Sequence, residues 1–390
     1  MNTTRIKEYF NKPWQILLYK FLLFTWVVSI PFKNVVYQIS FVLLDLFFIA
    51  HVIYHRNFSC IKEILSNVKF IAICFCGVIL SLIISNALNT EFISQKAWSN
   101  TALFVFRTGL IFIALGYFYR LKFFSIDEII FALLAGLSLV GLTAIVAIGQ
   151  DPSIIFNVTD GLTGSLSSRT IFGLFAGLGL VSSFVLVKNK AIKSSLIFIF
   201  LFLTIFSFAR SSWVASGVAI SVFIILNFKN IGKKELITVT TLVLFVVILY
   251  LSFDSFQQRV SALINLNSSG RFTIWTYSIQ MIQQSPIFGY GLDSFRYLPN
   301  TPALQRTDFN ATHNIILELL LYTGVFGAIF YLSLIFATFL KAYKSQNFAI
   351  FTLFTYMFVL CLFDFGAYSK EPQSIITIFI FLLYAHKFKE

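Results

Sequence analysis

The chain has 390 residues, 58% of them hydrophobic and only 12% charged, with a mean hydropathy of +0.85. Soluble domains carry about twice that share of charge, so composition excludes an ordinary globular protein and asks for lipid as the solvent. The formal net charge of +13 belongs mostly to the connections between apolar runs, and no nucleic-acid module, Gly-rich phosphate loop or metal-ligand cluster accompanies it; no nucleic-acid partner, metal or cofactor is therefore expected.

In chain order, Met1 to Pro13 is short and basic, and the apolar run that follows lacks a small-residue cleavage site, so it reads as a retained helix and not as a signal peptide. Runs near the roughly 20 residues needed to cross a hydrocarbon core then recur to the other end of the chain. They predict spans at 14–32, 35–54, 68–88, 100–119, 128–149, 170–187, 194–209, 211–228, 235–252, 314–340, 347–365 and 372–386. The fold class is thus an all-α integral membrane protein of about 12 transmembrane helices, divided into 1–252 (nine helices), a large outer loop at 253–313, and 314–390 (three helices). The seventh and eighth spans are so close that a tight hairpin is expected at Ala209-Arg210-Ser211, unless one of them is partly re-entrant. Cys60, Cys74, Cys76 and Cys361 lie in or beside apolar runs without zinc or redox spacing and read as small hydrophobes.

Placing both termini in the cytoplasm puts 18 of the 29 basic residues in inner connections, as positively charged loops prefer. The inner set is 15 Lys and 3 Arg, whereas the outer side and its helix ends hold 3 Lys and 7 Arg. Topology asks for charge, not for guanidinium. A planar fork that grips phosphate bidentately and stays charged when partly desolvated suits an anionic ligand on the outer face. Arginines snorkelling at helix ends are the alternative account.

Three parts of the chain then invite chemistry. In the large loop, Ser268-Ser269-Gly270-Arg271 opens an amphipathic stretch to Gln284 with Phe272, Trp275, Ile279 and Ile282 at helical spacing, read as a capped interfacial helix. Arg271 falls in its first turn, where backbone N–H groups favour an anion; a solvated first-turn arginine is the alternative. The segment Ser285 to Phe295, with Pro286, Gly289 and Gly291, is turn-rich and suited to close backbone approach. Finally, Thr312-His313-Asn314 stands at the N-terminus of the tenth helix. His313 is the outer side's only His, and a helix N-terminus disfavours imidazolium, so a neutral, proton-accepting ring is expected there; a structural interfacial His is the alternative. Glu318 and Asp364 are costly at membrane depth and should face protein or a polar cavity.

The order of a Phe-Ala-Arg210-Ser-Ser hairpin, Ser-Ser-Gly-Arg271-Phe, Gly-Tyr-Gly-Leu-Asp-Ser-Phe and Thr-His313-Asn resembles the O-antigen ligase and polymerase superfamily, specifically the lipopolysaccharide O-antigen ligases. The motifs occupy about 207–366. The resemblance implies a GT-C-like glycosyltransferase of the bacterial inner membrane with its active site on the periplasmic face. It would move a polysaccharide from an undecaprenyl-diphosphate-linked O-antigen donor to a sugar hydroxyl of a lipid A core acceptor, without nucleotide, metal or other cofactor. It also implies that Arg210 and Arg271 bind the diphosphate, that His313 is the essential histidine, and that Asp364 is an important acidic residue; Arg169 and Asn314 are taken as supporting residues. A polymerase of the same superfamily is the nearest alternative. Polymerases often use two sizeable outer loops, and here the other outer connection, 150–169, is short. A lipid-linked sugar transporter would show internal repeats and interrupted helices. No repeat is found; Arg107 inside the fourth span is the feature that such a reading would use, and Gly173, Gly177 and Gly179 fit a close helix-packing face.

Overall fold

The computed structural model describes residues 13–32, 35–228, 232–265, 269–304 and 310–388. Ser268, named above for the capped helix, and Lys33 and Arg306, two of the ten basic residues counted on the outer side, lie outside them. Among the described residues the chain is helical throughout, without strands, and a helix stands at each position where a span was expected. Seven of these helices are long and apolar enough to cross a membrane. An eighth candidate pairs Val243–Ser252 with Asp254–Ile264 across a bend of 108°. Two helices lie in connections where none was anticipated, Phe58–Asn67 and Asp254–Ile264.

The chain forms two compact units. The first comprises Met1–Leu133, Thr273–Lys341 and Gly366–Glu390, the second Leu134–Phe272 and Ala342–Phe365. In the second, the helices Arg169–Leu186, Lys190–Phe206, Arg210–Leu226 and Phe348–Cys361 pack on one another. Glycine permits that closeness. A Cβ at Gly173 would run into Ala209, one at Gly177 into Ser212 and Tyr356, and one at Gly179 into the Phe200 ring, so the three glycines are the packing face expected. The buried Tyr356 hydroxyl donates to the Leu174 carbonyl at 2.7 Å, which ties the last of these helices to the first.

In the first unit, the apolar run from 314 to 340 is not one regular helix. Gly324 adopts φ 62°, ψ −167°, a region only glycine enters without strain. A break frees backbone groups that an apolar surrounding cannot satisfy, and the turn-rich segment supplies their partners. Tyr290 N–H donates to the Leu321 carbonyl at 2.8 Å, Gly291 N–H to the Tyr322 carbonyl at 3.0 Å, and Val325 N–H to the Pro286 carbonyl at 2.9 Å. The Ser85 hydroxyl adds a bond to the Tyr322 carbonyl at 2.7 Å. Pro286, Gly289 and Gly291 therefore shape a segment that completes the hydrogen bonding of a broken helix.

The loop helix Arg271–Gln284 exists as expected. Ile274, Ser278 and Met281 are its buried residues, whereas Phe272 and Ile279 are exposed. Phe272 and Ile279 of the stripe read from the sequence face away from the protein, as an interfacial helix presents its lipid side, whereas Trp275 and Ile282 are half-buried; most protein packing falls to the neighbouring stripe.

Candidate functional site

In the second unit, four arginines converge on one carboxylate. Arg169, Arg210, Arg259, Arg271 and Asp364, with Ser211 and Ser269, line a cleft of about 70 Å³. The hairpin between Lys190–Phe206 and Arg210–Leu226 delivers Arg210. Phe208 turns the chain with φ 52°, the Ser207 hydroxyl accepts from Ala209 N–H at 3.2 Å, and Arg210 becomes the first residue of its helix, 8% exposed. Its guanidinium donates to the Ala262 carbonyl at 2.7 Å and to the Ser269 hydroxyl at 2.8 Å. Arg271, opening the next loop helix, pairs with buried Asp364, which also accepts from the Ser211 hydroxyl. Arg169 opens its own helix and donates to the carbonyls of Val158, at 2.8 Å, and Thr159.

The fourth arginine was not singled out by sequence. Arg259 sits in the short helix Asp254–Ile264 and donates through Nε to the Phe208 carbonyl at 3.0 Å. Burial, and then the guanidiniums of Arg169, Arg210 and Arg271, push its pKa down to about 10, so it stays charged at neutral pH in a site already rich in positive charge. Its only advance signal was membership of the arginine-rich outer set.

Backbone carbonyls and hydroxyls hold three of the four guanidiniums; among the described residues Asp364 lines the cleft with all four and Asp160 also acts on Arg169, so cations outnumber carboxylates there. A compact space with that imbalance favours an anion with several oxygens, because each planar fork can meet two of them. Of the six residues selected from the sequence, Arg169, Arg210, Arg271 and Asp364 are brought together here.

His313 and Asn314 belong to the first unit. Asn314 caps the helix Ile315–Lys344, its Oδ1 accepting from Ile316 N–H at 2.9 Å and Leu317 N–H at 3.0 Å. His313 immediately precedes that cap. It is half-buried and held at φ 50°, in a turn closed by the Thr312 hydroxyl donating to the Asn314 carbonyl at 3.0 Å. The Trp275 indole fixes the Thr312 carbonyl at 3.1 Å. The turn fixes the backbone at His313 in the left-handed region. Glu318, one turn on, is buried, and its carboxylate accepts from Tyr368 N–H at 3.1 Å.

Residues 195–332 match the family model for O-antigen ligases. The matched segment contains Arg210, Arg259, Arg271, His313 and the whole large loop, and over it the resemblance read from the motifs is supported. Arg169 and Asp364 fall outside it. The O-antigen ligase match and the apolar helices together point to a membrane enzyme of the glycosyltransferase kind. No curated protein matches the chain.

Proposed function

We propose that the chain is an O-antigen ligase of the bacterial inner membrane, transferring polysaccharide from undecaprenyl diphosphate to a sugar hydroxyl of lipid A core on the periplasmic face. The observation that carries this reading is the cleft of four arginines around one carboxylate, three of them in the segment that matches the O-antigen ligases. In this reading Arg210 and Arg271 hold the donor's diphosphate, with Arg169 and Arg259 beside them, and Asp364 orients Arg271 and Ser211.

The transfer breaks the bond between the anomeric carbon and the diphosphate oxygen and forms one to the acceptor oxygen. Negative charge grows on the leaving diphosphate, where fixed guanidiniums stabilise it most. The acceptor hydroxyl must lose its proton, and His313 takes it as general base; this role rests on the motif and on the turn that fixes the backbone at His313. No nucleotide is needed, because the glycosyl–diphosphate bond is already activated.

Deleting the gene and analysing both lipopolysaccharide and lipid-linked glycan tests the reading. Loss of a ligase leaves long polymer on the lipid carrier and lipid A core without polymer. Accumulation of single repeat units on the carrier would instead assign a polymerase, and unchanged lipopolysaccharide would remove both.

A further inference from the structure

The first unit encloses a second polar space, of about 980 Å³. Segments distant in sequence build it: 93–107, 292–297, 310–311, 318–322 and 368–373 each contribute wall. Lys96, Arg296 and Lys370 are exposed at its rim, whereas Arg107, Glu318 and Gln373 are buried in its wall. The rim is cationic, and the depth is mixed.

Arg107 is the least expected of these groups. It lies within a π-helical segment, Val105–Leu110, of the helix running from Ala97 to Arg120, and the extra residue per turn in such a segment commonly marks function. Its guanidinium lies 5.6 Å from the Phe41 ring centroid. The side chain is 5% exposed, and its Nε finds no hydrogen-bond partner. The Oε1 of Gln373, 3% exposed, is likewise unanswered. Both residues line the cavity, although these two atoms are themselves closed to solvent.

Size and lining select the ligand class. The volume stands at the top of the roughly 300–1,000 Å³ of small-molecule sites, far above what a lone phosphate fills. An acyl chain would strand the buried arginine, carboxylate and amide. Vicinal sugar hydroxyls both donate and accept, and so suit a lining of guanidinium, carboxylate and amide. Four cations, Lys96, Arg107, Arg296 and Lys370, face three carboxylates, and three of the four stand at the rim, where an anionic substituent would be drawn. The wall residues Asn310 and Ala311 lead within two positions to His313.

We infer that this cavity is the acceptor site, taking a saccharide that carries an anionic group: the anion meets Lys96, Arg296 and Lys370, and the sugar hydroxyls meet Arg107, Glu318 and Gln373. The inference rests on the proposed transfer, and adds which residues read the acceptor and that they read charge as well as hydroxyls.

The test uses the full-length protein in lipid nanodiscs and two probes, water-soluble lipopolysaccharide core oligosaccharide with its phosphates intact and the same material after chemical dephosphorylation. Binding of each is measured for wild type, for Arg296→Glu/Lys370→Glu at the exposed rim, and for Arg107→Gln in the wall. The rim variant should bind intact core about tenfold more weakly, the loss expected for a broken charge-assisted contact, yet bind undecaprenyl diphosphate as wild type does. Dephosphorylated core should bind wild type more weakly and no longer distinguish the rim variant. Arg107→Gln should weaken both probes. Equal binding of intact core by wild type and the rim variant would overturn the site, even if Arg107→Gln failed to fold; equal binding of both probes by wild type would overturn the anionic group. Should the gene deletion exclude a ligase while charge-dependent binding of core persists, the proposed transfer falls and the saccharide site stands.

Discussion

The arginine cleft of the second unit and the cavity of the first differ more than tenfold in volume, about 70 against about 980 Å³, and differ as much in kind. The cleft sets four guanidiniums about one carboxylate, and three of these cations are tethered to backbone carbonyls. Such a site recognises a small group by charge and geometry and is indifferent to what that group is attached to. The cavity mixes cations, carboxylates, amides and tyrosines, which suits an extended ligand recognised by many weak contacts. One protein that must accept a fixed leaving group and a particular acceptor needs both kinds of surface.

The sharpest way to break this division is at His313. With purified components at saturating donor and acceptor, His313→Ala should slow single-turnover transfer by about 10² to 10⁴, the usual loss of a general base, while both substrates still bind. Near wild-type turnover at saturation would reduce His313 to a binding residue. Arg271→Lys should come next. It keeps the charge but loses the fork, and kcat/KM should fall about tenfold to a hundredfold, with binding of core oligosaccharide unaltered. Full activity would reduce Arg271 to the ion-pair partner of Asp364.

The sequence made the cleft legible to different degrees for physical reasons. Arg210 and Arg271 announce themselves through turn chemistry, the first between two apolar runs, the second after Ser-Gly at a helix start. Asp364 announces itself by the cost of a carboxylate at membrane depth. Arg259 has no such local mark: it is one polar residue in the amphipathic run Asp254–Ile264, and only the fold aims it at the others. Helices were legible at every expected position because length and hydropathy suffice. The break at Gly324 was not, since Tyr322-Thr323-Gly324-Val325 reads as continuous apolar helix and the groups that repair it lie more than 30 residues away, at 286–291. The stripe Arg271–Gln284 buries against protein, Ile274, Ser278 and Met281, was not legible, because an interfacial helix has two neighbours, lipid and protein, and the amphipathic pattern marks only one of them.

That break offers a test on the cavity side alone. Gly324→Ala places a Cβ against the backbone of Ile287 in a conformation only glycine tolerates, a strain of about 1–3 kcal/mol. Tyr322, whose carbonyl is held by Gly291 and Ser85, lines the cavity. The variant should lose thermal stability and bind core oligosaccharide more weakly, and its affinity for undecaprenyl diphosphate should be unchanged. Equal loss of both ligands would show that the two regions do not act separately.

The smallest expected effect is also the most particular to the cleft. Arg259 is crowded by three other guanidiniums, and its pKa of about 10 lies below its ordinary value, so its charge penalises the ligand-free fold. The unfolded chain holds this proton more tightly than the folded one. The penalty is therefore complete below about pH 10 and is relieved only as pH rises beyond that; from pH 7 to 9 this group leaves stability flat. Arg259→Gln removes the penalty at every pH and should raise the stability of the ligand-free protein by about 1 kcal/mol, a common size for relief of functional strain. The same change removes a cation from the anion site, so the thermal stabilisation conferred by added undecaprenyl diphosphate should shrink, because that increment follows ligand affinity. Thermal unfolding with and without the lipid reads both numbers from one preparation. A variant less stable without ligand, yet fully stabilised by it, would make Arg259 a structural tether of the Phe208 carbonyl and leave the anion to Arg169, Arg210 and Arg271.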